Sequence, residues 1–313
     1  MQLIFDVVLP VFAIVLAGWA SCRYGFITSN AVTALNHYVI YFAVPPMLFL
    51  ATAKIEFDKL INPLFIWAFF LSSVITMLVG VFLYRGMKCR GVMDATVVAL
   101  ICGWGNTIYM GIPLAYFLFG DEGTLPVVIA TLITNMVFIV WLSFFANLSS
   151  GQSPWQTLQK TFVGMFMKNP VLIAPILGGL VSFYSLETPK PLSNLFSMLA
   201  PSAAPVALFA MGASLVGLQL RSEMKQLTWV TMVKMVLNPL IAFAVVWYLD
   251  LDSFWAASVV MMSALPTGTM VFIFAKQHEL RVNLASSAIM STTILSLFSL
   301  SILLPLISIY THT

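Results

Sequence analysis

A chain of 313 residues that is 61% hydrophobic and only 8% charged, with a mean hydropathy of +1.00, cannot clothe a water-soluble surface, which takes about a quarter charged residues. Apolar runs of about 20 residues recur from end to end, each long enough to cross a hydrocarbon core roughly 30 Å thick. The sequence therefore specifies a multi-pass protein of the lipid bilayer, and its net charge of +3 gives no sign of a nucleic-acid partner.

Charged and Pro/Gly-rich breaks divide the runs into ten expected spans, near 3–22, 31–52, 63–84, 94–119, 124–147, 169–187, 194–217, 226–249, 253–275 and 282–307. The first has Asp6 and no basic residue before Arg23, so it reads as a span rather than a secretory signal. The second carries His37 near its start and a bend at Pro45 and Pro46; the third has no charged residue. The fourth contains "GWGNTIYMGIPL" (103–114), discussed below, and the fifth holds Asn135. A longer connection, 148–168, is polar and then amphipathic. In the second half, Lys234 lies inside the eighth span, "SALPTGTM" (263–270) interrupts the ninth, and Ser291, Thr292 and Thr293 lie within the tenth. Cys22, Cys89 and Cys102 are unclustered and lack metal-ligand spacing, so neither a disulfide framework, a metal site nor any cofactor is expected.

Loops after odd-numbered spans hold ten Lys and Arg residues and loops after even-numbered spans hold three. Basic loops stay in the cytoplasm. Both termini are therefore expected outside a cytoplasmic (inner) cell membrane. The connector 148–168 splits the chain into 1–147 and 169–313, and the halves echo one another: "LPVFAIVLAG" (9–18) with "NPVLIAPILGG" (169–179), Pro46 with Pro205, Asp94 with Asp252, "FLFG" (117–120) with "FIFA" (272–275). Each half has five spans, so the second is expected upside down relative to the first, as in many secondary transporters.

Mid-helix glycine costs about 1 kcal/mol and proline about 3 kcal/mol relative to alanine, and backbone groups freed in lipid cost several more. Such stretches persist where protein or a wet cavity surrounds them. If both spans unwind, Asn106 is a natural N-cap for the outer half of the fourth and Thr267 for the inner half of the ninth. In an inverted repeat the two half-helices then aim their N-termini at a common point, where N–H groups and helix dipoles attract an anion. The plainer alternative, kinking or close packing, remains open for either span alone. The expected anion cradle comprises Asn106, Thr107, Gly111, Thr267 and Gly268, flanked by the breaking residues Pro113 and Pro266, with Tyr109 as a wall. Lys234 serves either to neutralise a carboxylate or helix end, or snorkels to the surface; Asn135 serves either interhelical hydrogen bonding or ligand contact.

All 11 acidic residues lie near span ends or in loops, which argues against a cation antiporter. "HEL" (278–280) lacks the second histidine of a metalloprotease motif and "GASLVG" (212–217) lacks the spacing of a nucleophile elbow, so an enzyme is not expected. An anion channel or membrane sensor built on the same site is the alternative to a carrier.

"NTIYMGIPL" (106–114) and "ALPTGTMVFIFAK" (264–276), supported by "KNPVLIAPILGG" (168–179) and "PVALFAMGASL" (205–215), resemble the auxin efflux carrier family over almost the whole chain. The resemblance implies an all-α fold, akin to that of bile-acid and sodium–proton transporters, of ten transmembrane helices in two inverted five-helix repeats. Broken helices 4 and 9 would cross at the midplane. It also implies a scaffold of helices 1, 2, 6 and 7 forming a homodimer, a moving domain of helices 3–5 and 8–10, and elevator-type transport of organic carboxylates. In the plant carriers the crossover asparagine contacts the substrate carboxylate, a role that falls on Asn106. The short connector departs from the long cytoplasmic loop of many plant carriers, and the uncharged third span lacks their charged pair. The first departure means that regulation by phosphorylation is not implied; the second points away from auxin and toward a small mono- or dicarboxylate such as malonate.

Overall fold

In lipid every backbone polar group needs a partner within the protein, which favours helices over open strands. The computed structural model describes residues 8–55, 60, 62–84, 91–150, 155, 169–218 and 224–312, and all of its regular structure is helical. In chain order the helices are α1 (Leu9–Arg23), α2 (Ser29–Ala53), α3 (Pro63–Tyr84), α4 (Val92–Gly103), α5 (Thr107–Phe119) and α6 (Thr124–Ser150). There follow α7 (Pro170–Phe183), α8 (Lys190–Gly217), α9 (Met224–Tyr248), α10 (Ser253–Ser263), α11 (Met270–Gln277) and α12 (Val282–His312). Among the described residues, five helices are long and apolar enough to span a membrane by length and composition: α2, α3, α8, α9 and α12. α1, α4, α5, α7 and α10 are shorter apolar helices, and the stretch Thr124–Val137 of α6 is apolar as well. Most of the connector, 151–154 and 156–168, lies outside the described residues, as do several of the loop cations counted above.

Prolines shape three of these helices in the same way. Five-residue π turns at Val39–Ala43, Thr107–Gly111 and Val233–Leu237 each end two residues before a proline: Pro45, Pro113 and Pro239. Proline has no N–H and its ring crowds the carbonyl one turn back. A wider turn moves that carbonyl aside, so the chain stays helical through the proline instead of breaking.

Where helices meet most intimately, glycine removes the side chain. α1 packs along α8 and α2 along α7. A Cβ at Gly18 of α1 would strike the Phe209 carbonyl and approach Ala213 N of α8, and one at Gly178 of α7 would strike the Phe49 carbonyl and approach Ala53 N of α2. The corresponding residues in these two contacts, Gly18 and Gly178, Phe209 and Phe49, Ala213 and Ala53, are each 160 positions apart. Small residues at such crossings let backbones approach, which is how packing holds helices together in lipid.

α3, α4, α6, α9, α10 and α12 form a second set of mutual contacts. One end of it is tied by an ion pair. Asp94, in the first turn of α4, accepts from Arg281 just before α12, with Nη2 to Oδ2 at 2.7 Å. Arg281 Nη1 also donates to Gln226 Oε1 of α9 at 2.9 Å, and Gln226 Oε1 accepts the Tyr84 hydroxyl of α3 at 2.9 Å. The turn that delivers Arg281 holds Glu279 (φ 55°) and Arg281 (φ 50°) in the left-handed region, at about 1–2 kcal/mol each. The paired guanidinium offsets that strain. Because removing one partner of a buried pair strands the other charge, Arg281→Met is expected to lower the unfolding temperature in detergent. The double variant Asp94→Asn/Arg281→Met is expected to recover most of the loss.

Candidate substrate site at the helix crossing

The fourth and ninth expected spans are both interrupted. α4 ends at Gly103 and α5 begins at Thr107; α10 ends at Ser263 and α11 begins at Met270. The two connecting stretches run past one another as an antiparallel bridge between Gly105 and Thr267. Asn106 N donates to the Pro266 carbonyl at 2.9 Å, and Gly268 N donates to the Trp104 carbonyl at 3.0 Å. The two breaks satisfy each other, which answers the cost of unwinding helices at that depth. Close approach requires glycine here: a Cβ on Gly268 would lie 2.6 Å from Trp104 Cδ1, and one on Gly105 would lie 3.1 Å from the Met262 carbonyl.

The carbonyl ends of the broken helices are closed by side chains. Thr267 Oγ1 donates to the Ile101 carbonyl of α4 at 2.9 Å. The Ser263 carbonyl, at the last residue of α10, accepts from Asn238 Nδ2 at 2.8 Å and from Lys234 Nζ at 3.4 Å. The N–H ends are treated differently. Asn106 caps α5, its Oδ1 accepting from Tyr109 N at 3.3 Å, and that bond fixes which side of its amide carries the NH2. Asn106 Nδ2 is left to donate to the Met211 thioether of α8 at 3.4 Å. Sulfur is a weak acceptor. A carboxylate oxygen in its place would form a charge-assisted bond, roughly twice as strong as a neutral one.

Thr267 does not cap α11. Thr269 stands at the N-cap with no side-chain bond, while Thr267 N donates to Thr292 Oγ1 at 3.1 Å and the Thr267 hydroxyl caps α4 instead. Thr107 accepts at Oγ1 from Thr131 Oγ1 of α6 at 3.0 Å. Asn106, Thr107, Gly111, Pro113, Pro266, Thr267 and Gly268 are buried, whereas Tyr109 is partly exposed. None of them lines the cavity of about 300 Å³ between α2 and α8 on one side and the α5–α6 corner on the other, where Lys54, Tyr116, Thr124 and Ala204 stand. Among the described residues no cluster of His, Cys, Asp and Glu could hold a metal.

A profile for a family described as "Membrane transport protein" matches residues 3–304. The chain belongs to that family. The transporter is 30% identical to a Rhizobium meliloti (strain 1021) protein named "Putative malonate transporter", over 97% of this chain and 96% of that one. It is 25% identical to "Uncharacterized transporter YfdV" of Escherichia coli (strain K12), over 90% and 91%. It is 23% identical to "Auxin efflux carrier component 5" of Arabidopsis thaliana, over 94% and 93%. The relation to auxin efflux carriers is therefore one of whole chains, and the protein is a transporter and not an enzyme.

Two further expected site residues of the transporter are held by carbonyl groups. Lys234 sits on the carbonyl side of the crossing, and Asn135 Nδ2 donates to the Thr131 carbonyl one turn back in its own helix at 2.7 Å. Met211, Thr131 and Asn238 complete the geometry without having been expected to. Met211 belongs to "PVALFAMGASL", and only packing of α8 against the start of α5 gives it a role. Asn238 follows a π turn whose effect on side-chain direction no periodicity reveals.

Proposed function

We propose that the chain carries small organic carboxylates across a cytoplasmic (inner) membrane by alternating access of an elevator type, with Asn106 as the principal contact to the carboxylate. The observation that carries this reading is the asymmetry of the crossing: carbonyl ends are capped by Thr267, Asn238 and Lys234, whereas the asparagine at the N–H end has only a thioether for its amide. An anion fits that end and a cation does not. The burial of Asn106 against α8 supports motion, since substrate reaches the amide only when α5 and α8 part. Thr107, Tyr109, Gly111, Pro113, Pro266 and Gly268 shape the cradle.

The paired glycine contacts 160 positions apart support two inverted five-helix repeats, 1–147 and 169–313, within ten transmembrane helices. In that arrangement α1, α2, α7 and α8 are the scaffold, the remaining helices move, and both termini lie outside. The first turns of α8, Lys190–Leu199, contain no fully buried residue; Phe196 packs edge-on against Phe49 of α2, while Leu192, Leu195 and Met198 stand exposed at helical spacing. They suit a homodimer contact through the scaffold.

Because the relative named for malonate is similar over nearly its whole length, malonate heads the screen. Radiolabelled malonate, other dicarboxylates and aromatic acids are offered to proteoliposomes, with proton and sodium gradients varied separately. Saturable uptake of a carboxylate that is stimulated by the same acid on the opposite side is the expected result. Flux far above carrier turnover, as in a channel, overturns it, as does indifference to every acid tested.

A further inference from the structure

We infer that α1 and α7 are hooked to opposite lipid interfaces by aromatic residues and are too short for a bilayer of ordinary thickness, so that the scaffold thins the membrane around itself. The scaffold and its opposed halves come from the carrier reading above, on which this inference rests; the first measurement below depends on neither.

The two helices end alike. Tyr24 N donates to the Ala20 carbonyl at 2.9 Å and Gly25 N to the Cys22 carbonyl at 3.2 Å. At positions 160 further on, Tyr184 N donates to the Leu180 carbonyl at 3.1 Å and Ser185 N to the Ser182 carbonyl at 2.9 Å. Gly25 (φ 80°) and Ser185 (φ 50°) are both left-handed. Glycine takes that conformation freely. Serine holds it at about 1–2 kcal/mol, so the reversal persists even where the residue does not favour it. Two residues after each tyrosine stands an exposed apolar side chain, Phe26 in one turn and Leu186 in the other; Phe26 is 83% exposed and Tyr24 74%. An apolar group close to a phenol suits the boundary between hydrocarbon and headgroups, where tyrosine is enriched. The faces that lead to these hooks correspond as well: Leu16 and Ile176, also 160 positions apart, are both exposed. In a membrane transporter such a face meets lipid tails, and opposed halves put Tyr24 at the cytoplasmic interface and Tyr184 at the outer one.

Length turns the hooks into a constraint. Between Asp6 and Arg23 lie 16 uncharged residues, and between Lys168 and Glu187 lie 18, where about 20 are needed to cross roughly 30 Å of hydrocarbon. The helix of the second stretch is shorter still. α7 has a defined start, with Asn169 Oδ1 accepting from Val171 N at 3.1 Å, and its 14 residues rise only about 21 Å. α1 has 15 residues. A span shorter than its bilayer is accommodated by local thinning, by snorkelling of flanking side chains or by oligomerising. Tyrosine and phenylalanine rings are stiff and cannot reach out as lysine does, so the hooks draw the headgroups toward the helix ends. The moving helices then have less hydrocarbon to carry substrate across.

The test places purified full-length protein in nanodiscs of phosphatidylcholine whose monounsaturated chains have about 14, 16, 18 or 22 carbons. Unfolding temperature is expected to peak at the two shorter lengths, about 3 °C or more above its value in the longest lipid. The variant Tyr24→Ser/Phe26→Ser/Tyr184→Ser/Leu186→Ser removes both hooks, and because these side chains are exposed it costs little packing. It is expected to lose the preference for short chains. In proteoliposomes of the same lipids, wild-type uptake of the carried acid is expected to fall about threefold or more from the 16-carbon to the 22-carbon lipid. A stability peak at the 18-carbon lipid or beyond overturns the inference, as does an unchanged lipid preference in the variant. A variant that becomes monomeric while keeping the wild-type preference shows a second copy of the chain over the hooks and overturns it too. Uptake that is equal in all four lipids removes the consequence for transport. If the fourfold variant fails to fold, Tyr184→Ser/Leu186→Ser decides by the same comparison. The unfolding measurement needs no substrate, so a failed carboxylate screen and a failed thickness test remain separate results.

Discussion

Asn106→Ala is expected to cut carboxylate uptake by about 10- to 100-fold, the equivalent of one hydrogen bond to a charged group at about 1.5–3 kcal/mol, while membrane insertion and yield stay normal. Its capping bond to Tyr109 N is worth about 1 kcal/mol, too little to unfold a protein of this size by itself. The decisive companion is Asn106→Asp. Aspartate caps a helix as well as asparagine does, so α5 keeps its start, but the amide donor is replaced by a carboxylate facing the incoming anion. Uptake is therefore expected to fall below that of Asn106→Ala, by an amount that shrinks as external salt rises, because like-charge repulsion is screened. Wild-type uptake by well-folded Asn106→Asp would remove the anion from this end of the crossing.

The second large effect concerns stability. Gly18→Ala and Gly212→Ala should each push α1 away from α8, because the added methyl would overlap the backbone carbonyls of Phe209 and Val15 respectively. A main-chain oxygen cannot rotate aside as a flexible side chain does, and overpacking of this kind costs about 1–3 kcal/mol or more. A clear drop in unfolding temperature by size-exclusion fluorescence is the expected reading. Gly178→Ala, which meets the Phe49 carbonyl across α2 and α7, is expected to cause a drop of the same size if the two contacts are equivalent parts of a repeat. Gly217→Ala has open space around it and supplies the control. A much smaller loss at Gly178 than at Gly18 would argue against equivalence of the halves.

Both expectations start from residues that stand out in the sequence, yet they do so for different reasons. Asn106 is legible because a polar N-capping residue between glycines and before a proline is costly in lipid unless the helix stops there. Thr267 stands out for the same reason, but its direction is not legible. A threonine in an unwound stretch can cap the helix that follows or the one that precedes, and the choice falls to the preceding helix only because Ile101 lies across the crossing. Lys234 poses the same problem more sharply, since a lysine nearly three turns inside α9 reaches surface, substrate or helix end equally well by its length. The π turn beneath it settles the matter, and nothing in hydrophobic periodicity encodes a π turn beyond the proline that follows.

Sequence by itself determined that this chain is a helical membrane protein, where its apolar runs begin and end, that two runs are interrupted at "GWGNTIYMGIP" and "SALPTGTM", and which family it joins. Those properties follow from local costs: hydration of apolar surface, the missing N–H of proline, the entropy of glycine. Tertiary structure alone decided that the two interruptions hydrogen-bond to one another, that Met211 closes the Asn106 amide, and that Lys234, Asn238 and Thr267 serve carbonyl ends rather than the N–H ends. Those pairings join residues more than 100 positions apart or depend on the pitch of a single turn. A backbone group freed at a break must find a partner, but which partner it finds depends on what the rest of the fold brings within about 3 Å.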